Sequence, residues 1–191
     1  MNNQEKKKQL RRNVRSMYPG DGIKEMESAR ICEHLSQCDE FNQAQTVVAY
    51  VPMEHEANIT RILYDTIASG KTLLLPRVEN DTEMTLRKVS SLNDLVSGMY
   101  GIFEPSLSTA VMPSETADIM LVPLEAVDQH GMRLGKGKGY YDRIISSTHA
   151  YTIGVALSHQ MIDEIPSDPW DQPLNAVVSS NGIVRFNTPK G

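Results

Sequence analysis

Between Asp128 and Arg143 the chain reads Asp128-Gln129-His130-Gly131-Met132-Arg133-Leu134-Gly135-Lys136-Gly137-Lys138-Gly139-Tyr140-Tyr141-Asp142-Arg143. Alternate glycines separate two lysines, with an arginine before them and an acid–arginine pair behind. Glycine lets a backbone come close to a ligand and turn its N–H groups inward. The apolar run 118–122 reads as a strand before this loop, and Tyr140 to Ser146 as a helix after it. A helix starting there adds its positive end. Strand, basic glycine-rich loop and helix together are suited to a phosphate chain. The string is neither of the common nucleotide motifs, because it lacks G-x-x-x-x-G-K-[ST] and reads G-x-G-x-G rather than G-x-G-x-x-G. A solvated surface loop is the plain alternative, but Tyr-Tyr-Asp-Arg is not linker composition.

A second basic cluster lies at the start: Lys6, Lys7, Lys8, Arg11, Arg12 and Arg15. Residues 4–18 read as a helix stopped by Pro19-Gly20, which puts Lys7 and Arg11 on one face. Taken alone, this could be a frayed, solvated terminus. The 191-residue chain has a net charge of −5, yet over half of its 19 basic residues lie in these two clusters. An acidic protein with compact basic clusters fits a small polyanion better than a long nucleic acid, which asks for a basic face over the whole domain.

The elements that must position these residues follow from periodicity. A second helix is expected from Ile23 to Leu35. Thr46 to Val51 is a β-branched apolar run stopped by Pro52, as a buried strand would be. Asn58 caps a segment with Ile59, Ile62, Leu63 and Ile67 at helical spacing, ended by Gly70. Thr72 to Leu75 is a further strand, stopped by Pro76. Strand, helix and strand make a βαβ unit and imply a parallel sheet. Strands follow at 118–122, 151–157 and 176–179, with shorter peripheral ones at 84–89 and 182–186. Residues 90–117, rich in Gly, Pro, Ser and Thr, read as a long loop with at most one helical turn, and such loops are often functional. The expected fold is a single three-layer α/β/α domain over residues 1–191 with a mostly parallel central sheet.

An apolar share of 40% and a charged share of 23% place the chain among ordinary globular proteins. No apolar run is long enough to span a bilayer, and the polar, basic first residues are no secretory signal. Cys32 and Cys38 lack the second pair a zinc site needs, so both read as thiols in a reducing, cytoplasmic setting.

The string from Arg133 to Arg143 closely resembles the signature of the 5-formyltetrahydrofolate cyclo-ligase (5,10-methenyltetrahydrofolate synthetase) family. The resemblance extends to Lys7-Lys-Gln-Leu-Arg11, Tyr50-Val-Pro-Met-Glu-His-Glu56, Leu75-Pro-Arg77, Tyr100-Gly-Ile-Phe-Glu-Pro105 and 118–123, in the family's order. It implies an ATP- and Mg²⁺-dependent enzyme. The formyl oxygen of 5-formyltetrahydrofolate would attack the γ-phosphate, and N10 would then displace phosphate to close the 5,10-methenyl bridge. Phosphoryl transfer asks a protein for positioning and positive charge rather than a nucleophile.

By that resemblance Lys7, Lys8, Gln9, Leu10 and Arg11 would bind ATP, as would Arg133, Leu134, Gly135, Lys136, Gly137, Lys138, Gly139, Tyr140 and Tyr141. Arg133 and Lys138 would be the catalytic cations. Val51, Met53, Glu56 and Tyr100 would bind the folate, with Lys136, Gly137, Lys138, Gly139 and Tyr140. Glu56 would accept hydrogen bonds from the 2-amino-pyrimidinone edge. Asp142 and Asp171 would bind Mg²⁺. Asn175 stands where the family often has a further aspartate. Neither nucleic acid nor membrane is an expected partner, and a monomer or weak dimer is expected. A non-catalytic folate-binding protein is the main alternative. A sugar-phosphate isomerase or CoA transferase would need a carboxylate base or nucleophile in a defined loop, and neither uses this Lys/Gly loop.

Overall fold

The computed structural model describes residues 2–98, 101–169 and 171–187. In chain order its elements begin with α1 (Asn3–Ser16), α2 (Asp21–Ser36), α3 (Asp39–Gln43), β1 (Thr46–Val48), α4 (Thr60–Ala68) and β2 (Thr72–Val78). There follow β3 (Met84–Val89), β4 (Leu95–Ser97), β5 (Phe103–Pro105), β6 (Val111–Met112), β7 (Ile119–Pro123) and β8 (Ala126–Asp128). The last are β9 (Arg133–Leu134), α5 (Tyr140–Ser147), β10 (Tyr151–Val155), β11 (Met161–Ile162), β12 (Ala176–Ser179) and β13 (Gly182–Arg185).

The apolar strands face two cores. Val47, Leu73, Leu75, Ile119 and Leu121 pack into one cluster with Ile31, Leu35, Ile62 and Leu63 of α2 and α4. Val48, Leu74, Met120 and Val122 pack into the other, with Ile144 of α5. Runs apolar at every position suit strands covered on both faces. The sheet has eight strands in the order β13-β12-β10-β7-β1-β2-β3-β6. β12, β10, β7, β1 and β2 run parallel, and β13, β3 and β6 pair antiparallel at the edges.

From β1 the chain goes to β2 on one side and later to β7 on the other. The carboxyl ends of β1 and β7 therefore flank a switch point, where open α/β sheets take their ligands.

Pro76 does not stop β2, which continues to Val78. Thr72 N donates to Gln45 O and Ala49 N to Leu74 O, so even-numbered residues of β2 face β1. At Pro76 that neighbour has ended, and a missing N–H there breaks no ladder bond. The expected loop 90–117 holds the β4–β5 pair, the edge strand β6 and two short 3₁₀ turns among its described residues.

A three-stranded sheet, β11-β8-β9, was not legible either, because strands of two or three residues carry no periodic signal. It matters for the site, since it carries Arg133. Val14 and Leu10 of α1 pack on it beside Ala126, Leu134 and Ile165. α1 opens with a reciprocal cap, Asn2 Oδ1 accepting from Glu5 N and Glu5 Oε2 from Asn2 N, both at 2.9 Å. Among the described residues no helix is long and apolar enough to cross a membrane.

Candidate active site

A cavity of about 330 Å³ opens over the carboxyl ends of β1, β2 and β7, with Tyr50, Val51, Pro76, Val78 and Pro123 on its floor. Ile102, Phe103 and Glu104 form one wall, and the segment from Arg133 to Asp142 forms the other. Floor and first wall are mainly apolar, whereas the far wall is cationic.

The basic segment is held by a buried aspartate. Asp128, 2% exposed, accepts from His130 N (2.9 Å) and Met132 N (3.0 Å) with Oδ1, and from Ile165 N (3.0 Å) with Oδ2. This closes the β8–β9 turn, so that Arg133 leaves it at the cavity edge. The Arg133 side chain is 5% exposed; it donates to Pro123 O at 3.2 Å, pairs with Asp142 and lies 5.8 Å from the Tyr141 ring centre. A Cβ on residue 135 would come within 2.9 Å of Arg133 Nη1, so a larger residue there would displace the guanidinium from its place. From the other side Arg11 Nε donates to Gly135 O at 2.7 Å. Two guanidiniums therefore bracket the start of the loop, with the N-terminal end of α5 beyond it.

Lys136 reaches inward, its ammonium 2.7 Å from Glu56 Oε1 and 2.7 Å from Met53 Sδ. Glu56 is 7% exposed, and its other oxygen accepts from Met53 N at 2.9 Å. Lys138 extends outward to Asp81 at 3.2 Å. The β2–β3 turn closes over this side: Tyr140 donates to Asn80 O (2.8 Å) and Arg143 to Thr82 O (2.7 Å). Burial pushes the Tyr50 and Tyr141 phenols up, with the Glu56 charge adding to it, so both are neutral hydroxyls. Burial lowers the Arg11 pKa, against the pull of Glu125, yet a guanidinium stays charged.

α1 is tied down by its basic residues. Lys7 sits 2.9 Å from Asp168 and 2.8 Å from Asp171, and Arg15 sits 2.6 Å from Glu125. Burial alone would lower the Lys7 pKa, but its bonds to Asp171 and Asp168 carry it above the usual lysine value.

The sequence model of the 5-formyltetrahydrofolate cyclo-ligase family matches residues 2–180. The chain belongs to that family. A probable 5-formyltetrahydrofolate cyclo-ligase of Schizosaccharomyces pombe is 31% identical, the match covering 94% of this chain and 98% of that one. The 5-formyltetrahydrofolate cyclo-ligase of Mycolicibacterium smegmatis is 35% identical over 74% of this chain and 77% of its own. The solved structure of Aquifex aeolicus 5,10-methenyltetrahydrofolate synthetase superposes with a TM-score of 0.84 at 31% identity, covering 97% of this chain and 95% of that one. The fold and the enzymatic class expected from the signature therefore stand.

Of the expected site residues, Val51, Met53 and Glu56 line the cavity with Arg133, Gly135 and Lys136. Lys138, Gly139, Tyr140, Tyr141 and Asp142 line it too. Gly137 lies between, its Cβ direction 3.6 Å from the Arg11 guanidinium. Leu10 and Leu134 are spent on the small core under α1. Lys8 and Gln9 are exposed, and Gln9 bonds along its own helix, to Asn13. Tyr100 lies outside the described residues. Asp171 is not on the cavity wall; it anchors Lys7.

Asn175 is not at the site at all. Its Oδ1 accepts from Thr152 N (2.8 Å) and Thr152 Oγ1 (3.0 Å), clamping the starts of β10 and β12 at the opposite end of the sheet. Sequence reading missed Tyr50, Glu104 and the 80–82 turn. Glu104 stood inside a stretch already matched to the family, so a signal for it existed. The turn is brought in only by tertiary contact.

Proposed function

We propose that this chain, as one cyclo-ligase-like domain in the cytoplasm, converts 5-formyltetrahydrofolate to 5,10-methenyltetrahydrofolate with ATP and Mg²⁺, releasing ADP and phosphate. The observation that carries the reading is the convergence of Arg11, Arg133, Lys136 and Lys138 on one glycine-rich loop beside a cavity whose inner wall holds Glu56. Polyphosphate and formyl-folate would meet where these two halves join.

In this reading the pterin enters over Val51 and Met53. Glu56 accepts from its 2-amino-pyrimidinone edge, a pairing that rejects rings lacking those donors. The formyl oxygen then faces the loop. As it attacks the γ-phosphate, Arg133 and Lys138 stabilise the charge on the transferred group, while Arg11 and the backbone N–H groups of the loop hold the rest of the chain. N10 next attacks the phosphorylated formyl carbon and phosphate leaves. The apolar wall of Ile102 and Phe103 keeps water from that carbon.

Among the described residues no three His, Cys, Asp or Glu side chains gather as a metal cage. That fits a Mg²⁺ that arrives on the nucleotide, for which one or two carboxylates suffice. Asp142, on the cavity wall and paired with Arg133, would hold it, while Asp171 serves Lys7. When bound, the ion neutralises phosphate charge.

The test is the near-ultraviolet absorbance of the methenyl product from protein, 5-formyltetrahydrofolate and MgATP. We expect an ATP- and Mg²⁺-dependent rise, reduced about a hundredfold in Lys138→Ala. No rise from a folded protein that still binds the folate overturns the reading.

A further inference from the structure

We propose that Lys136 couples the two halves of this site: it neutralises Glu56 when the loop is empty, and a bound polyphosphate draws it away and frees Glu56 for the folate. The inference rests on the function proposed above.

Both oxygens of Glu56 are occupied in this structure, one by Met53 N at 2.9 Å and one by the Lys136 ammonium at 2.7 Å. Each carboxylate oxygen can take a second donor, so the Met53 bond leaves room for a ligand N–H, whereas the Lys136 ammonium competes with a ligand edge for Oε1 and for the charge of Glu56. Lys136 can move, because its stem is flexible, its side chain is 40% exposed and its second contact is a thioether, a weak acceptor. Its backbone lies between Gly135 and Gly137, which Arg11 and Arg133 border. An anion bracketed by those guanidiniums competes with Glu56 for the ammonium.

Lys138 makes a different kind of pair. Asp81 has a side chain 79% exposed, so water replaces its partner at little cost. Glu56 has a side chain only 8% exposed, so a departing cation must be replaced by another donor, and the folate edge supplies it. The sign of the coupling separates this exchange from plain electrostatics. Polyphosphate and folate are both anions, and direct repulsion would make each weaken the other. The exchange makes each tighten the other, by the same factor.

The test is calorimetry on the full chain without ATP turnover. 5-Formyltetrahydrofolate is titrated alone, then with saturating inorganic tripolyphosphate, whose own binding is read first. We expect the folate Kd to fall about tenfold with the anion. In Lys136→Met the folate alone should bind within about threefold of the wild-type, anion-bound value, and the anion should then no longer tighten it, leaving only the direct repulsion. Lys136→Arg, which keeps the charge, should retain the coupling, and thermal melts confirm that both variants fold. Tripolyphosphate that does not bind, that leaves the wild-type folate Kd unchanged or weakens it, or that tightens folate equally in Lys136→Met, overturns the proposal. Product formation by the wild type tells the two failures apart. With turnover but no coupling, only the role of Lys136 falls; with no turnover and no folate binding, the function falls with it.

Discussion

Asp128 touches no part of the cavity, yet Asp128→Asn should disturb both stability and nucleotide use. The carboxylate accepts three backbone N–H bonds at 2.9–3.0 Å while 2% exposed. An amide oxygen can keep the two from His130 and Met132. Its NH₂ then faces Ile165 N, setting donor against donor in a buried place. One charge-assisted bond is lost and one buried N–H is stranded, about 2–3 kcal/mol. For a chain of this size that lowers Tm by about 4–12 °C. Asp128→Ala loses all three bonds and should cost about 3–5 kcal/mol. Because the β8–β9 turn sets where Arg133 emerges, the folded Asn variant should also show a higher KM for MgATP than for folate, relative to wild type. Urea unfolding, with the m-value checked for constancy, and steady-state kinetics read both effects. An Asn variant that melts within about 1 °C of wild type, with an unchanged urea midpoint, would refute the claim that this carboxylate holds the loop.

Glu56→Gln should raise the folate KM roughly 10–100-fold and leave the MgATP KM little changed, since one charged acceptor becomes a donor. Equal changes in both would count against its place on the pterin side. Gly137 has φ +105°, and a Cβ there meets nothing closer than the Arg11 guanidinium at 3.6 Å. Gly137→Ala should therefore act through backbone strain of about 1–2 kcal/mol, weakening nucleotide binding about tenfold and lowering Tm by about 2–8 °C. The bond from Arg185, opposed by partial burial, holds the Glu40 carboxyl down at about 2. A depressed carboxylate pKa stabilises the fold above its unfolded value near 4.5 and loses that contribution as pH falls towards 2. Glu40→Gln should thus melt slightly lower than wild type at pH 7, by no more than about 1 kcal/mol for so exposed a pair, and the gap should close between pH 4.5 and 2. A gap that persists at pH 2 would show that the effect is not ionic.

The sequence by itself determined the sheet and the chemistry of the loop. Strands apolar at every position, each followed by a turn or a proline, can exist only between two covered faces, and helices at a 3.6-residue period supply the cover. The Arg133–Arg143 string carried its own meaning, since alternate glycines and cations before a helix favour phosphate wherever they occur. Tertiary structure decided which partners those cations hold. Nothing local could reveal that Lys136 turns in to Glu56, that Asp171 belongs to Lys7, or that Asn175 clamps the far end of the sheet. Nor could it show the β8–β9 turn built on Asp128, because strands of two or three residues are stabilised by contacts distant in the chain rather than by periodicity. Residue type sets what a side chain can bind, but in a ligand-free protein its position in space decides what it does bind.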